Sequence, residues 1–245
     1  MKKLILSLIA CLALGISLNA RTFVLVTGVS RYANENSNLE QTTKDAKRFK
    51  QLMETQTKDI TLLTSKYVTS ANVLEKLRAI ANRAQSGDRI VFFYSGHGME
   101  GAMYGYDGPI WYEDIIDVLN TSAASEKICF IDACHAGTMT KVDDTKGSSA
   151  WKSKVKPGQA FFVACRPDEY SYENPFVGAG FFTQALLKGL QGKSDKNSDK
   201  KITIKELFDY IYGDVVKRSK NEQHPQLQAP QSMYNVSIFN CQLLK

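Results

Sequence analysis

Five strand-length runs of apolar residues restrict the fold of this chain more than any other feature of its sequence. They occupy residues 22–29, 60–63, 89–94, 127–131 and 159–164. The runs do not alternate between apolar and polar residues, so the strands that they form would be apolar on both faces. Such strands are typical of parallel sheets whose two faces are covered by helices.

Amphipathic stretches of helical length separate the runs. Helices are predicted over residues 39–53, 72–84, 111–119, 181–190 and 204–216. In the first of them Ala46, Phe49 and Leu52 recur on one face, which is the spacing of a helix that packs on a core. The alternation of strands and helices predicts an α/β fold, a three-layer sandwich with a mostly parallel sheet between two helical layers. Residues 21–245 fit a single domain of this class.

The first twenty residues are typical of an export signal. Lys2 and Lys3 precede an apolar run that ends near Leu18, and the small residue Ala20 offers a cleavage point before Arg21. The run is too short to span a bilayer comfortably, and a lipoprotein signal ending at Cys11 is the less favoured alternative. We therefore expect a signal peptide at 1–20 and an exported, periplasmic or secreted protein with no membrane span after cleavage.

Composition excludes one class of partner and leaves one question open. Removal of residues 1–20 leaves 29 basic against 25 acidic residues, and no basic run is interleaved with aromatic residues, so no nucleic-acid partner is expected. Four cysteines remain: Cys129, Cys134, Cys165 and Cys241. A bridge from Cys165 to either Cys129 or Cys241 stays open, although small buried cysteines are common in such apolar runs.

Two of the buried runs are followed by short segments that suggest chemistry. Residues 94–98 read Tyr-Ser-Gly-His-Gly, and residues 132–137 read Asp-Ala-Cys-His-Ala-Gly. The carboxyl ends of parallel strands share one edge of the sheet, where ligands bind, so His97 and Cys134 can meet there. An imidazole beside a thiol supplies the base that forms thiolate and the acid that protonates a leaving amine. Alone, each residue would be read as structural; together they predict a catalytic dyad.

These two segments resemble the motif pair of the caspase-like cysteine peptidases (peptidase C14, clan CD), in particular the metacaspase-like bacterial branch. Weaker similarity extends over most of residues 22–216, including residues 164–173 and 180–183. The resemblance implies a six-stranded, mostly parallel sheet, with His97 and Cys134 as the catalytic pair. It implies an oxyanion hole made by the backbone N–H groups of Gly98 and Cys134. Strand alternation directs His135 away from Cys134, so we assign His135 a structural role.

The specificity expected of a peptidase with these residues is cleavage after Arg or Lys. Asp132 and Ser95 each lie two residues before a member of the dyad, which places their side chains on the dyad's side of the sheet. By resemblance, Asp45 matches a second acidic residue of the metacaspase pocket. The alternatives are a carboxylate bonded to nearby backbone for Asp132 and an exposed helix charge for Asp45. Two carboxylates and a hydroxyl would bind a guanidinium or ammonium group.

Residues 195–206 match the oxygen-ligand spacing of an EF-hand calcium loop. The weak candidate ligands are Asp195, Asn197, Asp199 and Glu206, but Lys200 stands where glycine is usual. We favour a polar turn that caps the following helix, so no cofactor is expected to be required and calcium stays open.

The polar segment 141–156 is predicted to be an exposed loop, with Lys141 and Lys146 as candidate self-cleavage sites. The function favoured by these features is a cysteine endopeptidase acting on protein or peptide substrates with a basic P1 residue. The alternatives are a catalytically inactive caspase homologue that acts as a binding or scaffold protein, and a calcium-binding module.

Overall fold

The fold is described by a computed structural model that covers residues 20–99, 101–133, 155–166, 173–174 and 179–244. In chain order its strands are β1 (Thr22–Gly28), β2 (Ile60–Thr64), β3 (Arg89–Ser95), β4 (Gly98–Met99), β5 (Ala102–Tyr104), β6 (Pro109–Trp111), β7 (Glu126–Asp132), β8 (Gln159–Val163), β9 (Glu173–Asn174), β10 (Ala179–Gly180), β11 (Lys201–Thr203), β12 (Gln226–Gln228) and β13 (Ser237–Asn240). The α-helices are α1 (Thr42–Met53), α2 (Ser70–Arg83), α3 (Tyr112–Thr121), α4 (Phe181–Lys188) and α5 (Ile204–Arg218).

Six strands form the central sheet, in the order β12-β8-β7-β3-β1-β2. Every pairing in it is parallel except that of β12 with β8. The predicted α/β fold with a mostly parallel six-stranded sheet is therefore confirmed. The strands β1, β3 and β7 end level with one another, because Gly28 pairs with Ser95 and Ser95 pairs with Asp132.

Two helical layers cover the sheet because its strands are apolar on both faces. On one face, α2 and α3 pack on a core that includes Leu77, Phe92 and Leu119. On the other, α1, α4 and α5 pack on a row of stacked and tilted rings that begins with Phe49 and Phe93 at a centroid distance of 4.4 Å. This is the three-layer arrangement expected from the sequence.

The helix boundaries follow local hydrogen bonding more closely than apolar spacing. The first helix begins at Thr42 and not at residue 39, because the backbone N–H of Leu39 donates to Ser30 O in a loop. The second begins at Ser70, two residues earlier than predicted, because the Thr69 side chain accepts from Asn72 N and caps the helix.

Several short strands were absent from the sequence prediction. Three of them, β4, β5 and β6, form a small antiparallel sheet directly after β3. Two more, β11 and β13, pair beside α5, and β12 adds the antiparallel edge of the central sheet. Each of these strands has two to four residues, which is too few for an apolar pattern to identify them.

Cys129, Cys165 and Cys241 are free thiols in this structure, so neither bridge left open above is formed. Cys129 and Cys165 are fully buried in the core under α2 and α3. In the part of the chain that the structure describes, no helix has the length and apolar character needed to cross a membrane.

Candidate active site

A tight turn after β3 places His97 at the carboxyl edge of the sheet. The backbone N–H of Gly96 donates to Asp132 O at 3.1 Å, so the pairing of β3 with β7 continues one residue past the strand. A Cβ atom at position 96 would lie 2.4 Å from the Tyr94 hydroxyl oxygen, and only glycine fits there. The glycine of the Ser-Gly-His motif is thus explained by packing at this turn.

A main-chain carbonyl group fixes the imidazole of His97. Its Nε2 atom lies 2.8 Å from Ser37 O. A carbonyl oxygen can only accept a hydrogen bond, so Nε2 carries the ring proton and Nδ1 is the basic nitrogen. The tautomer required of a general base is therefore set by the Ser37 carbonyl group, which a sequence motif cannot predict.

Tyr32 holds His97 from a second direction. The Tyr32 hydroxyl accepts from His97 N at 2.8 Å, and the two rings lie 4.9 Å apart between centroids. The Tyr32 side chain is almost completely buried. It therefore fixes both the backbone and the ring plane of the histidine.

The loop between β1 and α1 presents the Ser37 carbonyl group. Asn38 Oδ1 accepts from Tyr32 N at 2.9 Å, and Ser37 N donates to Asn34 O at 3.0 Å. The run of Asn, Glu and Ser at 34–38 signals a turn, but sequence reasoning did not connect this turn with His97. Ser37, Asn38 and Tyr32 are functional candidates that the sequence analysis missed.

The expected nucleophile, Cys134, lies outside the described residues, as do His135, Lys141 and Lys146. Strand β7 ends at Asp132, and the described residues continue to Ala133. Since Asp132 is paired with Ser95, the strands that precede Cys134 and His97 in the sequence are neighbours and end in register.

The two predicted pocket carboxylates converge on one glycine. Asp45 Oδ2 lies 3.4 Å from Gly180 N, and a Cβ atom at Gly180 would lie 2.6 Å from Asp132 Oδ2. Asp132 Oδ2 also accepts from the backbone N–H and the hydroxyl of Thr183, at 3.1 and 2.6 Å. Ser95 lies beside Asp132 in the sheet. We call Asp45, Ser95 and Asp132 the acidic cluster.

Burial of the acidic cluster rules out one of the two alternative interpretations, the one for Asp45. Asp45 is 1% exposed, so the interpretation of Asp45 as an exposed helix charge is wrong. The bond from Thr183 N shows that Asp132 is a carboxylate hydrogen-bonded to nearby backbone, as its alternative interpretation states. Buried carboxylates are costly unless they are paired or hydrogen-bonded, and these two share one enclosed location.

Gly98 has a backbone geometry compatible with an oxyanion donor. His97 O accepts from Tyr104 N at 2.9 Å, and the next pair along the ladder is Gly98 with Met103. Bonded and non-bonded pairs alternate in an antiparallel ladder, so the N–H of Gly98 is directed away from β5.

Carboxylate side chains of the EF-hand-like segment, residues 195–206, accept hydrogen bonds from backbone N–H groups. Asp195 Oδ2 accepts from Lys200 N, and Asp199 Oδ1 accepts from Lys201 N. Glu206 and Thr203 form a reciprocal capping box at the start of α5, as the capping interpretation expects. Within the described ranges, no group of three or more His, Cys, Asp or Glu side chains is placed to hold a metal ion.

Comparison with known proteins identifies the family of this chain. A family profile described as "Caspase domain", of peptidase C14, matches residues 21–234. A probable protease from a Desulfuromonadales bacterium is 24% identical over 262 aligned residues, which cover 86% of this chain. The chain spans about a third (32%) of the length of that relative.

Two solved structures share the fold. A protein from Geobacter sulfurreducens superimposes with a TM-score of 0.65 at 16% identity, covering 90% of this chain and 98% of that one. Caspase-1 from Spodoptera frugiperda superimposes with a TM-score of 0.64 at 14% identity, covering 86% and 88%. With a family profile that matches nearly the whole described domain, the chain belongs to the caspase-domain family of peptidases.

Proposed function

We propose that this peptidase is a cysteine endopeptidase in which Cys134 is the nucleophile, His97 is the acid–base partner, and cleavage follows Arg or Lys. The observation that carries the proposal is the imidazole of His97. Its Nε2 atom is bound to Ser37 O, so Nδ1 is the basic nitrogen, at the strand end next to the one that precedes Cys134.

His97 transfers one proton in each of the two stages of the reaction. His97 Nδ1 accepts the proton of the Cys134 thiol, and the thiolate attacks the scissile carbonyl carbon. The negative charge that develops on the carbonyl oxygen is stabilised by the N–H groups of Gly98 and Cys134. His97 then gives this proton to the leaving amine as the C–N bond breaks. In the second stage the same nitrogen deprotonates a water molecule, which attacks the thioester carbon; the C–S bond breaks, the acid product leaves, and the Cys134 thiolate takes the proton back from His97.

The acidic cluster is the proposed pocket for the P1 side chain. Its carboxylates, Asp45 on α1 and Asp132 on β7, both lie against Gly180. A guanidinium group would take up the hydrogen bonds that Gly180 and Thr183 now provide, so substrate binding requires these contacts to be exchanged. An acidic P1 side chain would be repelled at the same place.

Export and processing complete the proposal. Arg21 N donates to the buried Asp88 Oδ1 at 2.8 Å, so cleavage after Ala20 would convert this contact into an ammonium–carboxylate pair. Lys141 and Lys146 match the proposed specificity and are the candidate sites of self-cleavage. Calcium is not required by this mechanism.

The test is to assay the mature protein on matched aminocoumarin amides that differ only at P1. We expect hydrolysis of the Arg and Lys amides, none of the Asp amide, and loss of activity in both Cys134→Ala and His97→Ala with an unchanged far-ultraviolet spectrum. Faster release from the Asp amide, or an active Cys134→Ala variant, would refute the proposal. An inactive wild type would favour the scaffold alternative.

A further inference from the structure

A small apolar surface adjoins His97 in the part of the chain that the structure describes. Met99, Tyr104 and Trp111 are 37%, 39% and 46% exposed. They belong to the small sheet β4-β5-β6, and we call them the apolar face. Large apolar side chains gathered at one exposed place are typical of binding surfaces.

The pairing of the small sheet puts these side chains on one side. Met99 and Trp111 both stand opposite Ala102, and directly paired residues share a face. Tyr104 is two residues after Ala102 and therefore lies on that face as well. The residues of the other face, Met103 and Ile110, are completely buried in the core under α2 and α3. The inner face thus stabilises the fold, while the outer face remains available.

The apolar face is continuous with the candidate active site. Tyr104 N donates to His97 O, and the Tyr104 ring lies 6.2 Å from the Tyr32 ring that packs on His97. Met99 is two residues beyond His97 in the chain. A peptide held over the imidazole would therefore pass over this surface.

The chemistry decides which half of the substrate lies there. His97 gives its proton to the leaving amine, so the half that carries this amine is on the histidine's side of the scissile bond. The acidic cluster, which would hold P1, packs with α1 and α4 on one face of the central sheet. The small sheet packs with α2 and α3 on the other. The two surfaces therefore receive opposite halves of the substrate.

We propose that the apolar face is a primed-side subsite that binds a large aliphatic or aromatic side chain within the first three residues after the scissile bond. This inference rests on the proposed function. Its ligand is the leaving half of a peptide substrate that has a basic P1 residue followed by a bulky apolar residue.

The test compares two kinds of substrate. Quenched peptides with Arg at P1 and Leu, Phe, Trp, Ser or Glu at P1′, P2′ or P3′ report on the subsite, whereas an Arg aminocoumarin amide has no primed residues. In the wild type we expect kcat/KM to be at least ~10-fold higher for the best apolar peptide than for its Ser counterpart. Trp111→Ser should reduce this ratio to below ~3-fold and leave hydrolysis of the amide unchanged, and Tyr104→Ser should also reduce the ratio.

The matched control is Tyr212→Ser, which removes an equally exposed ring on α5. It should keep the full primed-side preference. No preference in the wild type, or a preference that survives both apolar-face variants, would overturn the inference while leaving the proposed function intact. Equal losses on amide and peptides would also overturn it, since the residues would then act on folding or catalysis. An enzyme inactive on every substrate would remove the proposed function and the inference together.

Discussion

The acidic cluster and the apolar face adjoin the same histidine, His97, but differ in how far their side chains are exposed to solvent. In the first, the carboxylates of Asp45 and Asp132 are almost completely removed from water. In the second, Met99, Tyr104 and Trp111 keep more than a third of their surface in water. Burial of charge and exposure of large apolar groups both cost free energy. In the acidic cluster part of this cost is offset, because Arg48 Nη1 lies 3.6 Å from Asp45 Oδ1 and Thr183 donates two hydrogen bonds to Asp132. Under our proposals, the first region would bind a cationic side chain of the substrate and the second an apolar one.

The largest effect is expected from neutralising the acidic cluster. Asp132→Asn and Asp45→Asn each remove a carboxylate from the proposed P1 pocket, so kcat/KM for the Arg aminocoumarin amide should fall by about 10- to 100-fold. The Arg-to-Met ratio at P1 should fall with it, as measured with matched amides. Tyr104→Ser serves as the control and should leave P1 selectivity alone. If both Asn variants keep the wild-type Arg preference, the pocket has been placed on the wrong residues.

A smaller effect is expected where the two regions meet, at His97. Asn38→Ala removes the acceptor for Tyr32 N and loosens the loop that presents Ser37 O. We expect kcat to fall about 10-fold at unchanged KM. Asn38→Asp keeps an acceptor oxygen and should retain most of the activity. A loss that appears in KM alone would show that the loop positions substrate and not the imidazole.

A third carboxylate, that of Asp88, lies at the opposite edge of the sheet. It sharpens the comparison because we assign it a structural role only. Burial would raise the pKa of Asp88, but hydrogen bonds from Gln85 N and Arg21, together with the Arg21 charge, outweigh it and lower this pKa. Asp88→Asn should therefore cost about 1–3 kcal/mol of unfolding free energy at neutral pH and leave kcat/KM unchanged.

The pH dependence of that loss follows from the direction of the shift. A lowered folded-state pKa gives stability that is present above the unfolded-state pKa of about 3.9 and disappears as the pH falls through the folded-state value. Urea unfolding of wild type and Asp88→Asn should differ at neutral pH and converge in acid. A difference that grows in acid, or a loss of peptidase activity, would contradict the assignment.

The smallest effect concerns Glu206. Its carboxylate caps α5 together with Thr203, so Glu206→Ala should cost about 0.5–2 kcal/mol, whereas Glu206→Gln should be close to wild type. Neither result should depend on whether calcium or a chelator is present during thermal unfolding. A melting temperature that calcium raises in the wild type and not in Glu206→Gln would establish a metal site and reverse the preference for capping.

The sequence predicted the layers of this fold better than its edges. Strands β1, β3, β7 and β8 are buried on both faces, and this burial leaves continuous apolar runs that can be read directly. The small sheet and β12 are too short to leave such a pattern. Their positions depend on the turns and neighbours that the folded chain supplies.

The candidate site shows the same division. His97 was identifiable because its motif follows a buried strand, but Ser37 was not, because its contribution is a main-chain carbonyl group that any residue would provide. Asp45 lies between Lys44 and Ala46 on a helix where Lys44, Lys47 and Arg48 are exposed. Its sequence context could therefore not show that it turns inward.

The most direct test of the central claim is to locate a covalent adduct on the mature enzyme. A peptidyl-arginine acyloxymethyl ketone is attacked by a catalytic thiolate, and the modified residue can be found by peptide mass spectrometry. Burial raises the pKa of the Cys129 thiol, and Cys165 is fully buried, so neither should compete. We expect one adduct, on Cys134, absent in His97→Ala and strongly reduced with the aspartyl analogue of the reagent. Labelling of another cysteine, or equal labelling by the aspartyl reagent, would contradict the account.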